Sequence, residues 1–138
     1  DVAATRAWTA LQDYVETHRR RHELQEILGL GRGFGRVKLL LRLIPGPLTL
    51  REIADASGTD APYATVIVDK LEGLGLVERT AHPDDNRRKL VQLTDAGRDA
   101  ADRAAQILAE PPEGFANLSA EDLIRLEEIL HRLSGESP

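Results

Sequence analysis

Residues 50–73 read LREIADASGTDAPYATVIVDKLEG, two short helical patterns joined at a glycine. Leu50, Ile53 and Ala54 mark the first pattern, and Gly58 closes it, because glycine enters the left-handed conformation that ends a helix at little cost. Thr59 or Asp60 is placed to cap the second helix. Pro62 falls in its first turn, where a missing N–H is harmless. Ala64, Ile67, Val68 and Leu71 recur at helical spacing and turn inward, so Pro62, Tyr63, Val66, Asp69 and Lys70 project outward, with Thr65 toward the flank. Ala54 and Gly58 supply the small residues that close packing and a sharp turn require. This is the layout of a helix-turn-helix, whose second helix is free to enter the major groove of DNA.

Val66 is the informative position on that outer face, because an apolar side chain there has no core to fill. In a groove it meets a thymine methyl, while Thr65 and Tyr63 reach bases or phosphates and Lys70 a phosphate. Asp69 would repel phosphate, so it either orients a basic neighbour or accepts from a cytosine amine. Taken alone, the helix pair is equally compatible with a plain corner in a helical bundle.

The next segment shifts that balance. Leu76 to Thr80 and Lys89 to Leu93 read as strands, and between them Ala81-His82-Pro83-Asp84-Asp85-Asn86-Arg87-Arg88 is a turn-rich polar tip. A helix-turn-helix followed by a hairpin with a basic tip is a winged helix. An Arg at such a tip suits the narrow, electronegative minor groove. Arg87, Arg88 and Lys89 cluster there, and Asp85, two residues before Arg87, is placed to hold that guanidinium through a charge-assisted pair.

Two runs carry a family resemblance: Leu71-Glu72-Gly73-Leu74-Gly75-Leu76-Val77-Glu78-Arg79, and Pro83 to Gly97 with its Asp85-x-Arg87 pair and Leu93-Thr94-x-x-Gly97 ending. Over Leu48 to Gly97 the chain resembles the multiple-antibiotic-resistance regulator (MarR) family. The resemblance implies a homodimeric winged-helix regulator of transcription, in which the first and last helices of two chains interlock. It implies that the helix from Asp60 to Gly73 reads the major groove and Arg87 the minor groove. Val66 departs from the family pattern, where a polar or basic residue is common, so base preference does not transfer. Some family members bind aromatic acids between the dimerisation and DNA-binding regions; here Trp8, Leu11, Phe34 and Arg36 are the weak candidates for such a ligand site.

Outside this region the chain reads as helices. Ala4, Trp8, Leu11, Val15, His18 and His22 share one face of a helix expected over residues 2–28, ended by Gly29, Gly31, Gly33 and Gly35. A second apolar-faced segment, Phe34 to Ile44, stops at Pro45-Gly46-Pro47. Thr94 or Asp95 starts a helix through Leu108, halted by Pro111-Pro112. Ser119 with Asp122 resembles a capping box for a last helix striped by Leu123, Leu126, Leu130 and Leu133. The expected architecture is one mainly α domain over residues 1–138: a winged helix-turn-helix at 34–97 with a small hairpin wing, and long dimerisation helices at 1–28 and 98–138.

His18 and His22, four apart with Glu26 continuing the row, have a spacing suited to a divalent metal. They also continue the stripe of Trp8 and Leu11, so packed or hydrogen-bonded histidines are the expected reading, and no metal or cofactor is expected. The 138 residues contain no Cys, which removes thiol catalysis, Cys-based redox sensing and Cys-ligated metal sites. There is no Gly-rich phosphate loop and no nucleophile motif, so an enzyme is not expected. No apolar run approaches the roughly 20 residues that span a bilayer, and the chain is expected to be cytoplasmic with no membrane partner. With no Met present, Asp1 is expected not to be the initiated terminus.

Lys and Arg total 18 against 23 Asp and Glu, a net charge of −5. That sum favours the alternative of a winged helix used only for protein contact. Its distribution does not, because Arg32, Arg36, Lys38 and Arg42 fall in a stretch with no acid while the acids concentrate toward the C-terminus. The expected partners are therefore double-stranded DNA through a locally basic face, and a second copy of the chain.

Overall fold

Apolar periodicity sets the helices of this chain, and side-chain caps set where they begin. The computed structural model describes residues 1–30 and 35–136, with only the backbone of Arg21, His22, Gln25 and Ile27. The chain divides into two compact units, Asp1–Leu108 and Ala109–Pro138. The first contains α1 (Val2–Thr17), α2 (Arg21–Leu28), α3 (Gly35–Arg42), β1 (Leu48–Thr49), α4 (Leu50–Ser57), α5 (Ala61–Gly73), β2 (Val77–Ala81) and β3 (Lys89–Leu93). α6 (Asp95–Ala109) runs to the boundary, and the second unit holds a 3-10 turn, Glu113–Asn117, and α7 (Ala120–Ser134).

This is the expected mainly helical winged helix-turn-helix, with the wing enlarged to a three-stranded antiparallel sheet in the order β1-β3-β2. β1 is only two residues long and pairs Leu48 with Val91. Nothing in its own sequence announces a strand; β3 creates it by offering an edge. The core lies between the sheet and the helices, where Val37, Leu40, Val68, Leu71, Val91 and Ala101 are all fully buried.

The helix-turn-helix has the expected bounds. Thr49 caps α4 through a reciprocal capping box: its hydroxyl accepts from the Glu52 N–H, and the Glu52 carboxylate accepts from the Thr49 N–H, each at 3.1 Å. Gly58 ends the helix at φ +62°. Asp60, not Thr59, caps α5, its carboxylate 2.8 Å from the Tyr63 N–H. Ser119 likewise caps α7, its hydroxyl accepting from the Asp122 N–H.

The single helix expected over residues 2–28 is corrected to two. α1 ends at His18, whose backbone and ring both turn to the Tyr14 carbonyl: the N–H donates at 3.2 Å and Nδ1 lies 2.7 Å away. Only a protonated Nδ1 can donate to a carbonyl, so that nitrogen is committed. The imidazole also stacks on the Tyr14 ring, with centroids 4.1 Å apart. Arg20, inside the break, donates across 87 positions to the Ile107 carbonyl of α6 at 3.4 Å.

The base of the wing is fixed by an unusually close approach. The Thr94 N–H donates to the Leu76 carbonyl at 3.1 Å, and the Thr94 hydroxyl donates to Gly75 at 2.6 Å while accepting from the Gly97 N–H at 3.0 Å. A Cβ at Gly97 would stand 1.8 Å from the Leu76 carbonyl oxygen. The Leu93-Thr94-x-x-Gly97 ending is thus a joint: Thr stitches the turn before β2 to the start of α6, and only glycine lets the two backbones meet. Gly97→Ala should therefore destabilise the fold by about 1–3 kcal/mol or more. Gly73→Ala, in the last turn of α5 with open space around it, should leave stability within about 1 kcal/mol. Urea unfolding of the two variants measures the contrast.

Candidate nucleic-acid interface

α5 presents the face its periodicity predicted. Ala64, Val68 and Leu71 are buried and Ile67 partly so, which leaves Pro62, Tyr63, Val66, Asp69 and Lys70 exposed. Val66 is 63% exposed and Tyr63 52%. Thr65 is half-buried on the flank, and its hydroxyl donates back to the Ala61 carbonyl at 2.9 Å.

Asp69 proves to orient a basic neighbour, and the neighbour is Arg79 of β2. Its guanidinium binds Asp69 at 2.5 Å through Nη2 and Glu72 at 2.7 Å through Nη1. Arg79 reaches α5 because strand residues two apart share a face: buried Val77 precedes it and buried Val91 pairs opposite it. Arg79 and Glu72 lie in the run that carries the family resemblance, but their pairing with each other and with Asp69 is not read from the sequence. A charged residue at an inward strand position was the available signal, since such a group needs a partner on the element beneath. The bridge ties the wing to α5 and gives both acids a cationic partner although they stay partly exposed.

At the tip the expected pairing of Asp85 with the Arg87 guanidinium is corrected. The Asp85 carboxylate accepts instead from the Arg87 backbone N–H at 3.0 Å, while its carbonyl accepts from the Arg88 N–H at 3.0 Å. A short Asp side chain reaches the backbone two residues on more readily than it follows a long guanidinium outward. The His82 N–H donates to the Arg88 carbonyl, and the His82 ring accepts from the Asp84 N–H at 3.1 Å, which closes the loop. Arg87, Arg88 and Lys89 all remain exposed.

The wing also touches the electrostatics of α4. Hydrogen bonds from Thr49 hold the Glu52 carboxyl below the usual carboxylate range, and the positive charge of Arg88 acts in the same direction.

The remaining candidates are dispersed. Trp8 and Leu11 are exposed on α1, and Arg36 of α3 donates to the Leu30 carbonyl. Phe34 lies outside the described residues. His18 and His22 fall on opposite sides of the break between α1 and α2, so the continuous helical row with Glu26 that a metal would need does not form. The His22 side chain also lies outside the described residues, among which no cluster of three His, Asp or Glu is placed to hold a metal.

The bridge can be weighed directly. Because Asp69 and Glu72 remain substantially exposed, a double-mutant cycle between Asp69→Asn and Arg79→Ala, read by urea unfolding, should give a coupling of about 0.2–1 kcal/mol. A coupling indistinguishable from zero would mean that the pair does not hold the wing.

Comparison with known proteins agrees with this geometry. Residues 43–89 match the profile of the MarR family. The regulator MhqR of Bacillus subtilis is 29% identical over 133 residues, spanning 96% of this chain and 87% of its own. A crystal structure of a probable transcriptional regulator from Pseudomonas aeruginosa is 30% identical, with 85% of this chain and 89% of that one aligned at a TM-score of 0.59. A mutant of MarR from E. coli, crystallised in complex with operator DNA, is 26% identical over 91% of each chain at a TM-score of 0.62. Against another B. subtilis regulator, YdgJ, the match is 36% over 75 residues and spans about half of that protein, 46%. Together with the helix-turn-helix, the three-stranded wing and the joint at Gly97, these matches establish that the chain belongs to the MarR family.

Proposed function

We propose that the chain is a transcriptional repressor that binds a pseudo-palindromic operator as a homodimer, each copy placing α5 in the major groove and Arg87 in the neighbouring minor groove, with a small ligand releasing it. The observation that carries this reading is the Arg79 bridge. It holds a basic wing beside a helix whose outer face is exposed, and it leaves Arg87 and Arg88 clear of that helix. The operator complex of the similar MarR from E. coli supports the same partner here.

The helices outside the winged part support a second copy. Neither α1 nor α7 buries a residue within the described chain. Yet α1 exposes Trp8, Leu11 and Val15, and α7 exposes Leu123, Ile124, Ile129, Leu130 and Leu133. In the second unit a groove of about 430 Å³ runs along Phe115, Leu123, Leu126 and Leu130. Apolar surface of this extent marks an interaction site, and a two-fold dimer is the commonest way to cover it. Trp8 and Leu11 supply apolar surface on which an aromatic effector would stack. Family membership argues against catalysis.

The expected half-sites lie about one helical turn (~10 bp) apart. In a gel shift against the promoter DNA beside its own gene, affinity should fall steeply with salt. Arg87→Ala should weaken binding about tenfold and lower the salt slope by about one. Wild-type affinity in that variant at every salt concentration would remove the wing from the interface. The absence of any salt-sensitive shift would favour a protein-contact module instead.

A further inference from the structure

We infer that α5 reads thymine methyl groups through Val66, so that each half-site is built on T·A pairs rather than on guanines. The inference rests on the DNA reading above and specifies what that interface recognises. Between Ala61 and Gly73 there is no Arg, Asn or Gln, so Lys70 is the one side chain of α5 of the types that make two-pronged hydrogen bonds to guanine or adenine. The polar groups that are present are largely committed. The Thr65 hydroxyl is turned back to the Ala61 carbonyl, and Asp69 and Glu72 are held by Arg79. Lys70 sits in the last turn, suited to a phosphate as a point charge.

What remains at the centre of the face is apolar. Val66 is 63% exposed, with exposed Pro62 one turn before it and the Tyr63 ring beside it. The natural base edges of the major groove offer one apolar group, the 5-methyl of thymine. Lys70 on α5 and Arg87, Arg88 and Lys89 on the wing are all exposed, and exposed cations suit a polyanion better than a neutral protein surface. The wing adds the same preference from the other groove, since A·T tracts narrow the minor groove and attract an inserted Arg.

The test begins with selection of duplexes from a randomised library by the full chain. Selected sites should share a T·A pair at a fixed place in each half-site. Replacing that thymine by deoxyuridine removes only the methyl and keeps the O4 acceptor. It should weaken wild-type binding about three- to tenfold, whereas Val66→Ala should bind the two duplexes equally. Selected sites that tolerate deoxyuridine everywhere, or a Val66→Ala protein that keeps the wild-type dependence on the methyl, would overturn the inference and leave DNA binding standing. A library from which nothing is enriched would overturn both.

Discussion

The winged part depends on the carbonyl of Leu76. It accepts the Thr94 N–H, and it lies where a side chain at position 97 would have to be, 1.8 Å from the place a Cβ would take. The turn after α5 and the start of α6 are therefore locked together, and β2 begins and β3 ends at that joint. Val77 pairs with Leu93 at the base, and two residues on Arg79 pairs with Val91. A backbone contact that excludes every residue but glycine thus determines which side chain of β2 is delivered to α5.

What is delivered resolves the conflict between a net charge of −5 and a polyanionic partner. On α5, Arg79 binds Asp69 and Glu72. On the wing, Asp85 is used up on the backbone of Arg87. Acids near the face are thereby tied into local structure, while Arg87, Arg88 and Lys89 stay exposed. Each exposed ion pair is weak in energy. Their effect is geometric: they decide which charges face outward, and a sum over the whole chain does not record that.

The recognition region was legible because its signals are local. Gly58, Asp60 and Pro62 fix the ends of α4 and α5 within a few residues of sequence, and the inward set Ala64, Val68 and Leu71 follows from helical spacing. The features that stayed hidden depend on distant partners. The apolar stripe runs past His18 without interruption, yet the helix breaks where His18 turns back on Tyr14 and Arg20 reaches Ile107 of α6. β1 exists only because Leu48 meets Val91. The partners of Arg79 lie 7 and 10 residues away on another element, and no local pattern names them. Asp85 sits at the tip as expected but accepts from a different donor, because the Arg87 backbone N–H competes better for its carboxylate than the Arg87 guanidinium.

In the proposed complex the wing enters the minor groove while α5 occupies the major groove. Because the chain contains no Cys, Asn86→Cys places a single thiol beside Arg87, and an iron chelate attached there cuts whichever groove it faces. On an operator fragment, cuts on the two strands should be offset toward their 3′ ends, the mark of a reagent in the minor groove. Cuts offset toward the 5′ ends, or a bound complex that is not cut at all, would contradict it.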